Sequence, residues 1–121
     1  MKFTIDRSKW RSGLSYRYAT GKGATLLLNT EGFMCCLGQC MEQEGIRKRL
    51  LLNTGAPREL RVESIFIDEK GANSLIANEA IGINDDNEPM KTVQEKEESL
   101  IELFAKHGHE IEFVGEVVNY Y

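Results

Sequence analysis

The sequence predicts a small α+β domain: an antiparallel sheet with a hairpin and terminal strands, packed by two or three helices. Apolar and polar residues alternate near both ends of the chain, at 2–6 and 110–114, as expected for half-buried strands. Between them, residues 93–107 repeat their apolar side chains at helical spacing. The length of 121 residues is typical of one domain, so we expect residues 1–121 to form a single unit.

Residues 24–36 predict the hairpin, with its turn at 29–32, because Asn and Gly suit the backbone angles of hairpin loops. A short helix is predicted next, at 37–44, and Gly45 is suited to end it in a left-handed conformation. The apolar stripe of this predicted helix is formed by Cys36, Leu37, Cys40 and Met41.

Two further helices are predicted, at 73–83 and 93–107. Asn73 is the expected N-cap of the first, and Thr92 with Glu95 predicts a capping box for the second. The helix at 93–107 is expected to turn its acidic side toward solvent, namely Glu95, Glu97, Glu98 and Glu102.

Three stretches are less regular. The strand that begins at Glu110 is predicted to continue toward Val118, whereas residues 60–67 fit neither the strand period nor the helix period. The pentapeptide Leu-Leu-Leu-Asn-Thr occurs at 26–30 and again at 50–54. Two copies are too few to predict a repeat architecture.

Charge is distributed unevenly along the chain. The net charge is −4, but residues 1–61 carry 11 Lys/Arg and 5 Asp/Glu, whereas residues 62–121 carry 4 and 14. Either the two halves face each other in the fold, or they leave a bipolar surface whose basic side suits an anionic partner.

The chain shows no secretory or membrane signal. Residues 1–7 carry charge where a signal peptide would be apolar, and no apolar run reaches the roughly 18 residues of a membrane span. The three clustered cysteines are odd in number, which favours reduced thiols in a cytosolic protein.

The cysteine cluster offers two kinds of chemistry, a zinc site and a cysteine nucleophile. A zinc site would combine Cys35, Cys36 and Cys40 with His107 and His109, but their spacing lacks the paired ligands of structural zinc sites. A plain apolar corner is the alternative interpretation, and no cofactor is expected. An activated Cys36 nucleophile would need a nearby base, and both histidines follow a distant helix.

Anion binding has one local signal, the stretch Thr20-Gly21-Lys22-Gly23-Ala24-Thr25. It is not a Walker A loop, but glycines beside a lysine can present backbone N–H groups to a phosphate. An ordinary surface turn is the alternative. The acidic loop 84–89 lacks the glycine and glutamate of a calcium loop. Nucleic acid is not the expected partner, because the sequence pI is about 5.2 despite Arg47-Lys48-Arg49.

Basic and aromatic side chains interleave before the predicted hairpin. This pattern predicts a surface that binds a host protein or an anionic small molecule, formed by Arg7, Lys9, Trp10, Arg11, Tyr16, Arg17 and Lys22. Trp10 can alternatively be a core anchor.

The chain resembles a group of small uncharacterised proteins found in phage, prophage and bacterial genomes. The resemblance is carried by Lys2-Phe3-Thr4 with Trp10, by Met34-Cys35-Cys36-Leu37-Gly38, and by the stretch from Gly108 to Phe113. The resemblance implies a mobile genetic element in a bacterial cytoplasm as the setting, and it assigns no activity.

The leading hypothesis is therefore a non-enzymatic phage or prophage accessory protein that binds a host partner and so counters a host defence. A module that binds or sequesters an anionic nucleotide is the alternative, followed by a cysteine enzyme or a zinc-binding domain.

Overall fold

The computed structural model describes residues 1–14, 19–86 and 92–118. Two strands and four α-helices succeed one another in these ranges: β1 (Lys2–Asp6), α1 (Cys36–Gln43), α2 (Lys48–Leu51), α3 (Leu75–Asn84), α4 (Val93–Lys106) and β2 (Glu110–Val114). Short 3-10 turns cover Arg7–Lys9 and Pro57–Glu59. The α+β class and both terminal strands are confirmed. In these ranges no helix is both long and apolar enough to cross a bilayer.

The two terminal strands pair with each other in parallel, in the register Lys2↔Glu110 to Asp6↔Val114. The predicted antiparallel sheet is therefore wrong. Parallel neighbours need a long crossover, and all four helices lie between these strands in the sequence. Phe3 and Ile5 are fully buried on the face that also carries Ile111, whereas the opposite face is largely solvated. β2 ends at Val114 and does not continue to residue 118.

The outer edge of β1 is covered by two glutamine side chains of α1. The Thr4 N–H donates to Gln43 Oε1 at 2.8 Å, and Gln43 Nε2 donates to the Thr4 carbonyl at 2.7 Å. Gln39 makes the same two bonds with Asp6, at 2.8 and 3.1 Å. Four helical residues rise about 6 Å and two strand residues about 6.6 Å, so the amides match the strand repeat. α1 thus takes the place of a neighbouring strand.

The predicted hairpin at 24–36 does not form, although its turn does. Asn29 Oδ1 accepts hydrogen bonds from the N–H groups of Glu31 and Phe33, both at 3.0 Å. The arms are joined by two backbone hydrogen bonds, from the Asn29 N–H to the Phe33 carbonyl and from the Cys35 N–H to the Leu26 carbonyl, but they form no strand pair. Their bridges go to other segments instead: Leu28 bridges to Leu52 and Met34 bridges to Trp10, both in parallel. The Asn and Gly residues predicted the turn correctly, but the pairing of the two arms as strands was predicted wrongly.

One of these bridges joins the two Leu-Leu-Leu-Asn-Thr copies. The Leu27 N–H donates to the Thr54 carbonyl, and the Asn53 N–H donates to the Leu28 carbonyl, each at 2.8 Å. Leu27 and its neighbour Leu51 are both buried. The copies therefore lie side by side at the edge of the core without forming a repeat architecture.

The strand-to-helix corner at Cys36 was predicted correctly. Gly45 adopts φ +98°, and the Ile46 N–H donates to the Met41 carbonyl at 3.1 Å, as in a glycine-terminated helix. Inside α1, Gly38 lies directly against the Leu27 carbonyl: a Cβ at position 38 would be 1.8 Å from that oxygen. Glycine is required here by the close approach of two backbones.

The ends of α3 and α4 follow local signals. The N-cap of α3 is Ser74, one residue after the predicted Asn73, because the Ser74 hydroxyl accepts from the Ala77 N–H at 3.4 Å. Thr92 caps α4 as predicted, accepting from the Glu95 N–H at 3.1 Å. The predicted solvent face of α4 is wrong at Glu97, which is buried.

Aromatic side chains fill the centre of the core. Phe3, Phe66 and Phe104 are all fully buried, with ring centroids 5.8 to 6.1 Å apart. Trp10 stacks at a tilt on Phe113, with centroids 5.0 Å apart. Residues 60–67, which fitted neither period, contribute Phe66 to this cluster from an irregular segment.

We expect Gly38→Ala to destabilise the protein by about 3 kcal/mol, because the added methyl group overlaps the Leu27 backbone. Gly82→Ala is the matched control inside α3, where a Cβ would meet nothing within 4 Å. That change should stabilise the protein by about 0.5–1 kcal/mol through helix propensity. Urea unfolding of both variants measures the difference, and equal effects would contradict the close approach.

Candidate functional site

Arg7, the first predicted surface residue, is committed to an internal ion pair. Its Nε and Nη2 donate to the two carboxylate oxygens of Glu97 at 3.0 and 2.8 Å, and its Nη1 donates to the Gly115 carbonyl at 2.8 Å. Both side chains are mostly buried, at 17% and 8% exposure. The pair joins the end of β1 to α4 and to the residue after β2, so Arg7 is not available to a partner in this arrangement.

Trp10 and Arg11 also lie inside the protein. Trp10 is fully buried and its Nε1 donates to Asn84 Oδ1 at 2.8 Å. Arg11 is only 3% exposed, and its guanidinium donates to the carbonyls of Ser12, Thr20 and Gly23. As surface contacts these two predictions are corrected: a buried indole and a guanidinium occupied by carbonyls stabilise the fold.

Lys9 and Lys22 are the two predicted residues with exposed side chains. Tyr16 and Arg17 lie outside the described residues, as does the part of the acidic loop at 87–89. The described residues of the predicted surface therefore do not form one exposed patch. Lys22 lies in a glycine-containing loop at the surface.

The loop at 20–25 depends on two glycines. Gly21 and Gly23 adopt φ +76° and +78°. A Cβ at Gly21 would lie 2.6 Å from the Trp10 carbonyl oxygen, and one at Gly23 would lie 2.7 Å from Asn29 Nδ2. Both the backbone angle and the available space therefore require glycine at these positions.

The carbonyl groups of this loop are held from the inside of the protein. Asn29 Nδ2 donates to the carbonyls of Lys22 and Ala24 at 2.7 and 2.9 Å, and Arg11 Nε donates to the Gly23 carbonyl at 2.8 Å. In a planar trans peptide, the N–H points opposite to the C=O.

Three N–H groups must consequently point away from Asn29 and Arg11: those of Gly23, Ala24 and Thr25. Among the described residues none of these three donates to another protein group. Ala24 is exposed, and Gly23 and Thr25 are half-buried. Successive N–H groups without a protein acceptor bind an anion where they converge on one point. We call residues 22–25 the N–H loop.

The electrostatics of the N–H loop have two opposing contributions. The Lys22 ammonium group is exposed and would attract an anion. The Glu31 carboxylate lies near the same loop, since a Cβ at Gly23 would be 3.2 Å from Glu31 Oε2. Glu31 therefore opposes the attraction that Lys22 would exert on an anion.

Beneath this region, Asn84 joins four parts of the chain. Its Oδ1 accepts from Trp10 Nε1 and from the Cys36 N–H, while its Nδ2 donates to the Arg11 carbonyl and to Asp85 Oδ1. Its own carbonyl accepts from the Gly13 N–H at 2.8 Å and from Lys96 Nζ at 3.1 Å. Asn84 is 1% exposed, so water cannot reach its polar atoms. The hydrogen bonds to protein groups therefore satisfy donors and acceptors that would otherwise be buried without a partner.

Asp85 and Lys96 extend this polar cluster. Burial raises the pKa of Asp85, while the Asn84 hydrogen bond and the charges of Lys96 and Arg11 act to lower it. Lys96 is 1% exposed and also donates to the Asp86 carbonyl at 2.7 Å. The adjoining cavity, lined by Cys35 and Asp85 among others, measures about 10 Å³. That volume is no larger than one water molecule, so the cluster is structural rather than a ligand pocket.

The cysteine cluster is buried and weakly acidic. Burial raises the pKa of Cys35 to about 12 and raises those of Cys36 and Cys40 well above their usual range. Thiols in this state are poor nucleophiles. Within residues 1–14, 19–86 and 92–118, no three His, Cys, Asp or Glu side chains are grouped to hold a metal ion. The three cysteines are free thiols in the core.

Several residues of this region were not identified from the sequence. Asn84 was assigned to an acidic loop, and Lys96 and Glu97 lie among glutamates that suggest a solvated helix face. Burial of these three depends on partners more than ten residues away, such as Arg7 for Glu97. The helical spacing of Val93, Lys96 and Leu100 is the signal that could have placed Lys96 toward the core.

Compared with protein-family models, curated proteins and solved structures, the chain shows no match.

We expect Asn84→Ala to lower the free energy of unfolding by about 3 kcal/mol, because it leaves the Trp10 and Cys36 N–H groups buried without an acceptor. Asn78→Ala, at an exposed position of the same helix, should change it by less than about 0.5 kcal/mol. Chemical unfolding followed by Trp10 fluorescence measures both, and a similar small effect for the two variants would contradict the central role of Asn84.

Proposed function

We propose that this protein is a non-enzymatic binding protein whose ligand is a phosphate-bearing anion of the nucleotide class, bound at the N–H loop. The observation that carries the proposal is the orientation of three successive N–H groups, which point away from the side chains that hold their carbonyls. Lys22 supplies a positive charge beside them. A fully ionised phosphate group has acceptor oxygens and no donor, so a row of N–H donors beside a cation suits it.

The rigidity of the loop supports the same ligand class. Its carbonyls are fixed by Arg11 and Asn29, and both of these side chains are buried. The donors are thus oriented before an anion arrives, which reduces the entropy that binding must offset. The site lies at the surface, so it suits recognition of a phosphate group more than enclosure of a whole nucleotide.

The setting of this proposal comes from the resemblance to small phage and prophage proteins. A mobile element that encodes a binder of anionic nucleotides can sequester a host signalling molecule, and this would counter a host defence without any catalytic step. The raised pKa values of the three buried thiols argue against the alternative of a cysteine enzyme.

The test is a thermal-shift titration with sodium pyrophosphate, ATP and a cyclic dinucleotide, at constant ionic strength. A ligand at 100 times its Kd stabilises the native state by about 2.7 kcal/mol, which should raise Tm by several degrees. Absence of a shift with all three compounds would contradict the proposal.

Variants locate the site. Lys22→Ala should weaken binding about fivefold, corresponding to roughly 1 kcal/mol for an exposed charge pair. Ala24→Pro should weaken it further by removing one N–H, and Glu31→Gln should strengthen it. Lys9→Ala removes the same charge from another exposed position and serves as the matched control. Equal losses for Lys9→Ala and Lys22→Ala would indicate unspecific attraction.

A host protein is the second candidate ligand, and the surface around α2 favours it. Leu50 and Leu52 are 41% and 42% exposed beside the exposed side chains of Arg47, Lys48 and Arg49. Exposed leucines flanked by arginines suit a protein partner with an acidic rim. Lys48 already pairs with Glu42 at 3.4 Å, which leaves the two arginines as the charges most available to a partner.

We expect a host protein captured by the wild-type chain from bacterial lysate to be lost with Arg47→Glu/Arg49→Glu and kept with Arg58→Glu/Arg61→Glu. The second pair is the control, because it reverses two other exposed arginines. Quantitative mass spectrometry of the eluates measures retention, with excess ATP added in one arm. Loss with both variants would indicate charge-driven capture, and loss with ATP alone would favour the nucleotide ligand.

A further inference from the structure

The two outer edges of the β1–β2 sheet are treated differently by the fold. The edge of β1 is covered by Gln39 and Gln43, which bond the N–H and C=O groups of Thr4 and Asp6. No comparable side chain serves the edge of β2 within the described residues. The hydrogen-bonding groups at the edge of β1 are thus satisfied by side chains, whereas those at the edge of β2 are not satisfied in the described part of the chain.

The strand register shows which backbone N–H and C=O groups of β2 point away from β1. The Glu110 N–H donates to the Met1 carbonyl at 2.9 Å, so the even-numbered residues of β2 direct their backbone groups to β1. In a strand, successive residues alternate, and the N–H and C=O groups of Ile111 and Phe113 therefore point to the opposite side. None of these four groups has a hydrogen-bond partner among residues 1–14, 19–86 and 92–118.

The side chains around this edge are acidic and apolar in alternation. Glu110 and Glu112 are exposed on the solvated face, where Glu112 also lies 3.7 Å from Lys2 Nζ of β1. Ile111, which is 5% exposed, and Phe113 lie on the core face. Val114, the last residue of β2, lies on the same face as the two glutamates and is 40% exposed, and Val117 beyond the strand is 52% exposed. A segment added next to β2 would meet carboxylates on one face and apolar groups on the other.

Charge decides which segment fits. A second copy of this chain, added by two-fold symmetry, would place Glu112 opposite its own copy or Glu110 opposite Glu112, depending on the register. Like charges directly opposite each other destabilise strand pairs. A strand with Lys or Arg at alternate positions instead pairs each charge with a carboxylate.

We infer that the outer edge of β2 is a strand-addition site for an extended basic peptide segment of a partner protein. The N–H and C=O groups of Ile111 and Phe113, which have no hydrogen-bond partner in the described residues, supply the backbone hydrogen bonds. The carboxylates of Glu110 and Glu112 select alternating Lys or Arg side chains. Backbone pairing of this type gives affinity, while the alternate side chains give specificity.

Hydrogen exchange tests the edge in the free protein. By NMR, the amides of Ile111 and Phe113 should exchange faster than those of Glu110 and Glu112, which donate to β1. Slow exchange at Ile111 and Phe113 in dilute protein would overturn the inference, because the edge would already be covered. Slow exchange that appears only at high protein concentration would also overturn it, in favour of a second copy.

A labelled peptide of alternating Val and Lys residues tests the occupant by fluorescence anisotropy. It should bind, protect the Ile111 and Phe113 amides, and lose at least about fivefold in affinity to Glu112→Lys. Glu102→Lys, an equal charge change on the exposed side of α4, should cost less than about twofold.

Two control peptides separate strand addition from simple charge attraction: one with the same residues in block order, and one N-methylated at alternate backbone positions. Both should bind at least about tenfold more weakly than the alternating peptide, because neither can form the complete backbone ladder with paired charges. Equal binding of all three peptides would overturn the inference, as would failure of the alternating peptide to bind the wild-type protein.

Discussion

The buried amide of Asn84 is the interaction on which most of the described structure depends. It lies at the end of α3 and holds the Trp10 indole, the start of α1 and the Arg11 carbonyl at once. Asparagine suits this position because its side chain has two donors and an acceptor with two lone pairs, and all are used. Neither Asp, which lacks the donors, nor Leu, which lacks all of them, could satisfy the same set of neighbours.

The position of the N–H loop follows from this interaction. Asn84 fixes the backbone of Arg11, and Arg11 in turn holds the carbonyls of Thr20 and Gly23. The loop is thus supported by a chain of buried polar contacts that ends at the surface in unbonded donors. Such a chain explains why Trp10 and Arg11, which resemble a binding surface in the sequence, instead lie beneath the N–H loop and support it.

Local signals in the sequence were sufficient for some elements and not for others. The helix at Val93 with its Thr92 cap, the corner at Cys36 closed by Gly45, and both terminal strands depend on residues within a few positions of each other. The hairpin failed because Leu28 and Met34 pair with Leu52 and Trp10, which no local pattern specifies. The glycines around Lys22 suggested an anion site from spacing, but the orientation of the N–H groups depends on Asn29 and Arg11.

The glutamine pair on α1 has a consequence for the order in which the fold can assemble. β1 and β2 are separated by 108 positions, and closing so large a loop is entropically costly and slow. Gln39 and Gln43 lie within about 40 positions of β1, so α1 can bind the first strand well before the last one arrives. In a chain made from its N-terminus, β1 thus gains its first partner inside the nascent N-terminal half. The parallel pairing with β2 then completes the sheet. Until that step, Gln39 and Gln43 cover the edge of β1 and so protect an unpaired strand from aggregation.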